Sequence, residues 1–239
     1  MKPDLLILCA TLVEMSFFLS AHPPKAERAT RTGLRIFSGR RSHQSYDLMI
    51  TGLGVFNAAH ALTLYLEQAS PVLVLQTGIA GVFRETDLAV GDVAVASSEH
   101  YIHTGIAADS TMPGPLPFDL IQGVPSSREG RYEFDPVRVD ACHERLSRGF
   151  EHKSIQVAKG PFITVSTLTS SLDQASRLHA VLSPVMEAME GAASAHIAAL
   201  YKVPFIEIRA ASNVAGERDK SKWDVETAAK HLGEACALI

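Results

Sequence analysis

Glu14, Glu190 and Arg209 each place a charge where the surrounding residues are apolar: after LLILCAT, within EAMEGAASA and within VPFIEIRAAS. A buried charge costs free energy unless it is solvated or paired. Glu14 can serve as a general base in a partly dry pocket, or as a helix-start glutamate favoured by the dipole. Glu190 lies at the lip of a short strand if that strand ends at Met189. There a carboxylate accepts two hydroxyl hydrogen bonds, which suits a ribose diol, or it is simply an acid at a helix N-terminus. Arg209 needs anionic partners, and Glu14, Glu190 and Glu207 are the candidates. Ser212 and Asn213 follow it, and the asparagine either turns the chain or holds a ligand.

Other chemistry-bearing groups carry less. QTGIAG (residues 76–81) has backbone N–H groups to offer but lacks the P-loop lysine and the dinucleotide-binding spacing. His100 and His103 lie near each other with no third ligand in view, so no metal site is expected. Cys9, Cys142 and Cys236 are odd in number and far apart, and read as reduced thiols of a cytosolic protein, with Cys9 in the core. Trp223 reads as a helix packing residue.

These groups need a scaffold, and its elements follow from the pattern. LLILCAT, YDLMITG and PVLVLQTGIAG are apolar runs of strand length, the third entering a glycine-containing turn. Between the second and third, residues 54–69 carry Val55, Ala58, Ala59, Leu62 and Leu66 at helical spacing. Strand, glycine turn, helix and strand in succession predict a parallel or mixed central sheet. Further strands are expected at residues 91–103, at 154–167 with a break at Gly160-Pro161, in PVMEAMEG, and in VPFIEIRAAS, which should exit into a loop at Ser212-Asn213. Helices are expected at 136–150, in SSLDQASRLHAVL with a serine cap, in AASAHIAALYK and in KSKWDVETAAKHLGEACALI. The Pro- and Gly-rich residues 104–130 read as a long, flexible loop, and RATRTGLRIFSGRR as a solvated connection. Ligands of such sheets bind beyond the carboxyl ends of the strands, which selects Thr11 to Glu14, Gly52 to Asn57, Thr77 to Gly81, His100 to His103, Ser166 to Thr169, Met189-Glu190 and Ser212-Asn213.

Composition sets the outer limits. The 239 residues, 46% of them hydrophobic, suffice for one α/β domain with a large core. With 22 Lys and Arg against 26 Asp and Glu, the net charge is −4, so no nucleic-acid footprint is expected. Asp4 and Glu14 make the N-terminus a poor signal peptide, and no run approaches the roughly 20 apolar residues of a membrane span. A cytoplasmic protein without membrane or nucleic-acid partners is the expectation.

Glu14 after the first apolar run, GLGVFNAA, QTGIAG, GDVAVAS, AMEGAASA and PFIEIRAASNVAG occur in the order seen in the nucleoside phosphorylase and nucleosidase superfamily. The chain resembles that superfamily over nearly its whole length, least in residues 104–150. Within it the chain looks most like the futalosine hydrolases and is also similar to the methylthioadenosine/S-adenosylhomocysteine nucleosidases. The resemblance implies one α/β domain over residues 1–239, three-layered, with a central mixed twisted sheet flanked by helices. It implies cleavage of the N-glycosidic bond of a purine nucleoside through an oxocarbenium-like transition state. It implies neither cofactor nor metal, and a homodimer or larger homo-oligomer whose partner subunit can complete the site. Glu14 would orient and deprotonate the attacking water, with Arg209 near the nucleophile and the carboxylates. Glu190 would hold the ribose hydroxyls, Met189 would pack under the sugar, and Ser212 and Asn213 would meet the purine. Gly78, Ile79 and Thr169 complete the expected substrate-binding set.

Two departures from the superfamily pattern bear on the substrate. Phosphorolytic relatives present an arginine and a serine to phosphate where this chain has Gln76 and Ile79, which favours water as the nucleophile. The adenine-specific nucleosidases have aspartate where this chain has Asn213. An amide donates to N7 or O6 but is no proton acid at neutral pH, so a 6-oxopurine such as hypoxanthine suits it better. The expected reaction is therefore hydrolysis of futalosine to hypoxanthine and dehypoxanthine futalosine, a step of menaquinone biosynthesis. The alternatives are a methylthioadenosine/S-adenosylhomocysteine-type nucleosidase, a purine nucleoside phosphorylase and, less favoured, a non-catalytic nucleoside-binding protein. The carboxyphenyl chain of futalosine would find its pocket in residues 104–130, with Phe118, or at Phe83 and Arg84.

Overall fold

The apolar strands converge on one sheet, seen in a computed structural model that describes residues 3–108 and 112–239. In chain order the elements are β1 (Leu5–Cys9), α1 (Ser16–Ala21), β2 (Ala26–Ala29), β3 (Arg35–Arg41), β4 (Gln44–Ile50), α2 (Val55–Leu66), β5 (Leu73–Val82) and β6 (Val93–Tyr101). They continue with β7 (Arg131–Glu133), α3 (Pro136–Phe150), β8 (Val157–Thr164), α4 (Leu172–Leu182), β9 (Met186–Ala188), α5 (Gly191–Tyr201), β10 (Phe205–Val214) and α6 (Val225–Leu238). This is the expected single-domain α/β architecture, a mixed sheet flanked by helices.

β1 shows why its run is continuously apolar. Leu5, Ile7 and Cys9 face one core with residues of α1, α3 and α6, whereas Leu6 and Leu8 face a second core under α2 and α5. A strand buried on both faces has no polar side to present. The sheet is mixed: β1 runs parallel to β4 and β5, and β5 parallel to β10. β10 is antiparallel to β6, which runs parallel to β8, then β9, and β9 returns antiparallel to β5. Strands β5, β10, β6, β8 and β9 thus close into a ring, from which β1, β4, β3 and β2 extend as a wing. Helices α3, α4 and α6 begin on Asp135, Ser171 and Asp224, whose side chains accept from the amides of Val137, Gln174 and Thr227.

Several expectations need correction. RATRTGLRIFSGRR is not a solvated connection: it forms parts of β2 and β3, because Ile36 and Phe37 bury against the sheet while Arg28 and Arg35 pair with Asp47 and Glu27 at 3.0 and 2.6 Å. QTGIAG is not a turn but the second half of β5, held by β10 along its length. Gly160-Pro161 does not break β8; the mismatch falls on β6, where the register slips between Ala96 and Ser98. Ser212-Asn213 is not an exit either, since β10 runs on to Val214 with a register shift between Ala211 and Asn213. Trp223 lies ahead of α6 rather than in it, donating to the Glu217 carbonyl at 3.1 Å beneath the Arg218 guanidinium. Within residues 104–130, a bridge joins Ile106 to Gly114 and a 3-10 turn spans Pro125–Glu129; residues 109–111 of that expected loop lie outside the described ones.

Candidate active site

Glu14 sits in the turn between β1 and α1, 5% exposed, with both oxygens bound. Oε2 accepts from the Thr11 amide at 2.7 Å, the Thr11 hydroxyl at 2.6 Å and the Cys9 thiol at 3.5 Å. Oε1 accepts from the Ile79 amide at 3.0 Å. Four donors on three residues fix the carboxylate's position. Ile79 therefore enters the site through its main chain, while its side chain packs on the core beneath.

Gly78 explains how Arg209 and Glu14 come together. A Cβ at that position would lie 2.5 Å from Arg209 Nη1 and 2.8 Å from Glu14 Oε1. The absence of a side chain is what lets the two charged groups approach across β5. Arg209, 1% exposed, donates through Nε to Glu207 Oε1 at 2.8 Å and through Nη1 to Glu190 Oε2 at 3.2 Å. Burial opposes its charge, but the Glu207 and Glu190 carboxylates outweigh that and hold its pKa above the ordinary arginine value. Of the three carboxylates suggested as partners, Glu190 and Glu207 pair with it directly and Glu14 lies beside it.

Glu190 is at the N-cap position of α5, as its reading as an acid at a helix N-terminus has it. Its side chain does not cap the helix; Oε1 instead accepts from the Gly54 amide at 2.9 Å, which ties α5 to the start of α2. Next to it Met189 packs, half-buried, against the cluster of Phe83, Ile102, Ile163 and Val165. A cavity of about 280 Å³ opens between α2 and α5, lined by Val55, Phe56, Tyr101, Leu120, Ala192 and His196 among others.

At the end of β10, Asn213 is 8% exposed, and its Nδ2 lies 3.3 Å from where a Cβ on Gly81 would be. Nδ2 donates to the Val214 carbonyl at 2.9 Å and Oδ1 accepts from the Ser212 hydroxyl at 2.8 Å. Ser212, buried and 3.2 Å from the Ala80 carbonyl, thus orients the amide rather than facing a ligand. Thr169 likewise turns inward: its amide and hydroxyl both donate to Glu187, whose carboxyl burial raises above the usual range.

Other groups considered above are engaged within the fold. Phe83 is fully buried in the core and presents nothing to a carboxyphenyl chain, while Arg84 lies exposed beside Glu85 and Ser176, to which it donates at 3.3 and 2.8 Å. Gln76 accepts from Ser194 at 2.6 Å and donates to the Thr77 carbonyl at 3.1 Å. His103 accepts from the Ser166 amide at 3.1 Å in the turn beyond β6, and no group of three metal-ligating side chains exists among the described residues. Sequence reasoning missed two groups, Thr11 as the anchor of Glu14 and Glu99, which lies 0% exposed in β6. Glu207 and Arg209, two apart in a strand, share a face by parity, a signal that was present for their pairing.

A family model described as the phosphorylase superfamily matches residues 4–239. The chain is 33% identical over 193 residues to the 5′-methylthioadenosine/S-adenosylhomocysteine nucleosidase of Bacillus velezensis, covering 78% of this chain and 77% of the relative. It is 31% identical over 208 residues to the nucleosidase of the same name from a Geobacillus species, covering 84% and 83%. Among solved structures, the nucleosidase of Neisseria meningitidis in complex with methylthio-immucillin-A superposes with a TM-score of 0.81 at 20% identity, covering 98% of this chain and 96% of that one. The Streptococcus pyogenes S-adenosylhomocysteine nucleosidase with 5-methylthiotubericidin gives 0.79 at 22%, covering 99% and 95%. No helix among the described residues is long and apolar enough to cross a membrane.

Proposed function

Because this chain belongs to the phosphorylase superfamily, we propose that it is an N-glycosyl hydrolase that releases the base of a purine nucleoside, with water as the nucleophile. The observation that carries the reading is the Glu14 carboxylate, fixed by Thr11 and the Ile79 amide within reach of the Arg209–Glu190 pair. Glu14 accepts a proton from the water, whose oxygen forms the new bond to C1′ as the C1′–N9 bond breaks and its electron pair leaves with the base. Glu190 accepts from the ribose diol, and Met189 lies under the sugar. Positive charge developing on the ring is stabilised by the nearby carboxylates, while Arg209 keeps their net charge small enough to be buried. Gln76 and Ile79 support water over phosphate, since the amide is committed inside the fold and the aliphatic chain offers no donor.

The curated relatives support a 5′-methylthioadenosine/S-adenosylhomocysteine-type nucleosidase, the alternative weighed above, more strongly than futalosine hydrolysis. One observation favours the futalosine reading. Asn213 has its oxygen engaged by Ser212 and one amide hydrogen by the Val214 carbonyl, so what it has left to offer the base is a single donor, which matches an acceptor, N7 or O6, of hypoxanthine. The apolar cavity between α2 and α5 is then the place for a 5′ substituent. Incubation with methylthioadenosine, S-adenosylhomocysteine, futalosine and inosine, with and without phosphate, tests both readings. Base released without phosphate supports the hydrolase, and the substrate with the highest kcat/KM chooses between them. Strict dependence on phosphate overturns it.

A further inference from the structure

Beside Arg209 lie two carboxyls for which the proposed reaction has no use. Glu99 on β6 and Glu207 on β10 are both 0% exposed. Glu99 Oε2 accepts from the Thr164 hydroxyl at 2.8 Å and Glu207 Oε1 from Arg209 at 2.8 Å. Their other oxygens, Glu99 Oε1 and Glu207 Oε2, have no partner. These same two oxygens converge on the first residue of α5, where a Cβ on Gly191 would collide with both. Two carboxylates pressed together in a dry interior cannot both be ionised. The cation in reach, Arg209, answers Glu207 through Nε and Glu190 through Nη1, and its remaining Nη2, itself without a partner, hydrogen-bonds neither orphaned oxygen. A single proton between the two orphaned oxygens satisfies both at once, as an O–H on one donating to the other.

We propose that Glu99 and Glu207 share one proton and act as positioning residues, holding Arg209 in the orientation that fixes Glu190 for the ribose hydroxyls. The groups facing the pair come from every side: Arg209 on β10, Glu190 at the head of α5, the Thr164 hydroxyl on β8 and, through Arg209, Glu14 after β1. Burial, then the Glu207 charge, pushes Glu99 well above the usual carboxyl range; burial also raises Glu207, with Arg209 opposing. Glu207 faces the Arg209 guanidinium at 2.8 Å as the anion, so the proton resides on Glu99. Loss of that proton sets a second negative charge beside Glu207 and draws Arg209 away from Glu190. The role in substrate binding rests on the nucleosidase reading; the shared proton does not.

The test uses the full chain and two readouts. Glu99→Gln reproduces the protonated form, since its amide can donate to Glu207 and accept from Thr164. It should fold and keep kcat/KM at neutral pH within about threefold of the parent, because both hydrogen bonds survive. The alkaline fall in kcat/KM of the parent, expressed mainly in KM, should be absent in it. Glu99→Ala, which strands Glu207 and Thr164, should raise KM about tenfold or more. The infrared spectrum of the parent at neutral pH should hold a protonated-carboxyl band that loses intensity in Glu99→Gln. Absence of the band, a band unchanged by the substitution, an alkaline limb the variant retains, or failure of Glu99→Gln to fold overturns the proposal. Should no nucleoside be hydrolysed, the nucleosidase reading fails, and the infrared band still decides the shared proton.

Discussion

Glu14 is proposed to act on water rather than to bind sugar or base, and glutamine keeps its shape while turning one of its two accepting oxygens into a donor. Glu14→Gln should therefore leave substrate binding measurable by titration calorimetry and lower kcat by about 10²-fold or more, the loss expected on removing a general base. Near-normal turnover would take Glu14 out of the mechanism. Asn213→Asp should shift the ratio of kcat/KM toward 6-aminopurine nucleosides, because a carboxylate beside Ser212 accepts where the amide donates. An unchanged ratio would show that Asn213 does not select the base. The sequence made these residues legible because each is a polar intruder in an apolar run. It hid their partners: Thr11 looked incidental, Glu99 lay in a strand with other polar residues, and Ser212 was placed against the purine when it supports its neighbour instead.

The elements carry the site through their close approaches. Gly78→Ala would push a methyl group between Arg209 and Glu14. It should depress kcat/KM far more than it depresses the unfolding midpoint, since the displaced groups are those proposed to act on substrate. Comparable losses in both would mean that the contact is only structural. Ser171→Ala offers the contrast: losing the N-cap of α4 should cost about 1 kcal/mol of unfolding free energy in urea titrations, with kcat untouched. Helices and buried strands were readable because period and capping are local. The extension of β5 and β10 through Gly78 and Asn213 was not, because it is set by the pairing of these two strands with each other, 131 residues apart at Thr77 and Ile208. The β2–β3 hairpin was hidden by its arginines, whose partners lie on other strands.

At the scale of the molecule, buried charge sets the pH response. The folded pKa of Glu99 lies above its ordinary 4.5, so the folded chain retains a proton that the unfolded chain loses. Stability is fully present below that ordinary value and declines as pH rises toward the folded one. Urea midpoints should fall across this range in the parent and fall less in Glu99→Gln; identical slopes would contradict the assignment. Cys9, Cys142 and Cys236 are all buried and unpaired, and burial pushes Cys142 and Cys236 up to about 12. A thiol reagent should label none of them in the native protein and all of them once it unfolds. The ring of β5, β10, β6, β8 and β9 has a further consequence. The strands bearing Gly78, Ile79, Arg209 and Asn213 lie inside the sheet, β5 pairing with β1, β9 and β10 along its length and β10 with β5 and β6, so neither is a free edge from which the sheet frays. Their amides should be the last to exchange with deuterium, after those of β2 at the free edge of the wing. The arrangement of these groups then lasts as long as the fold itself, and opens only when the whole chain does.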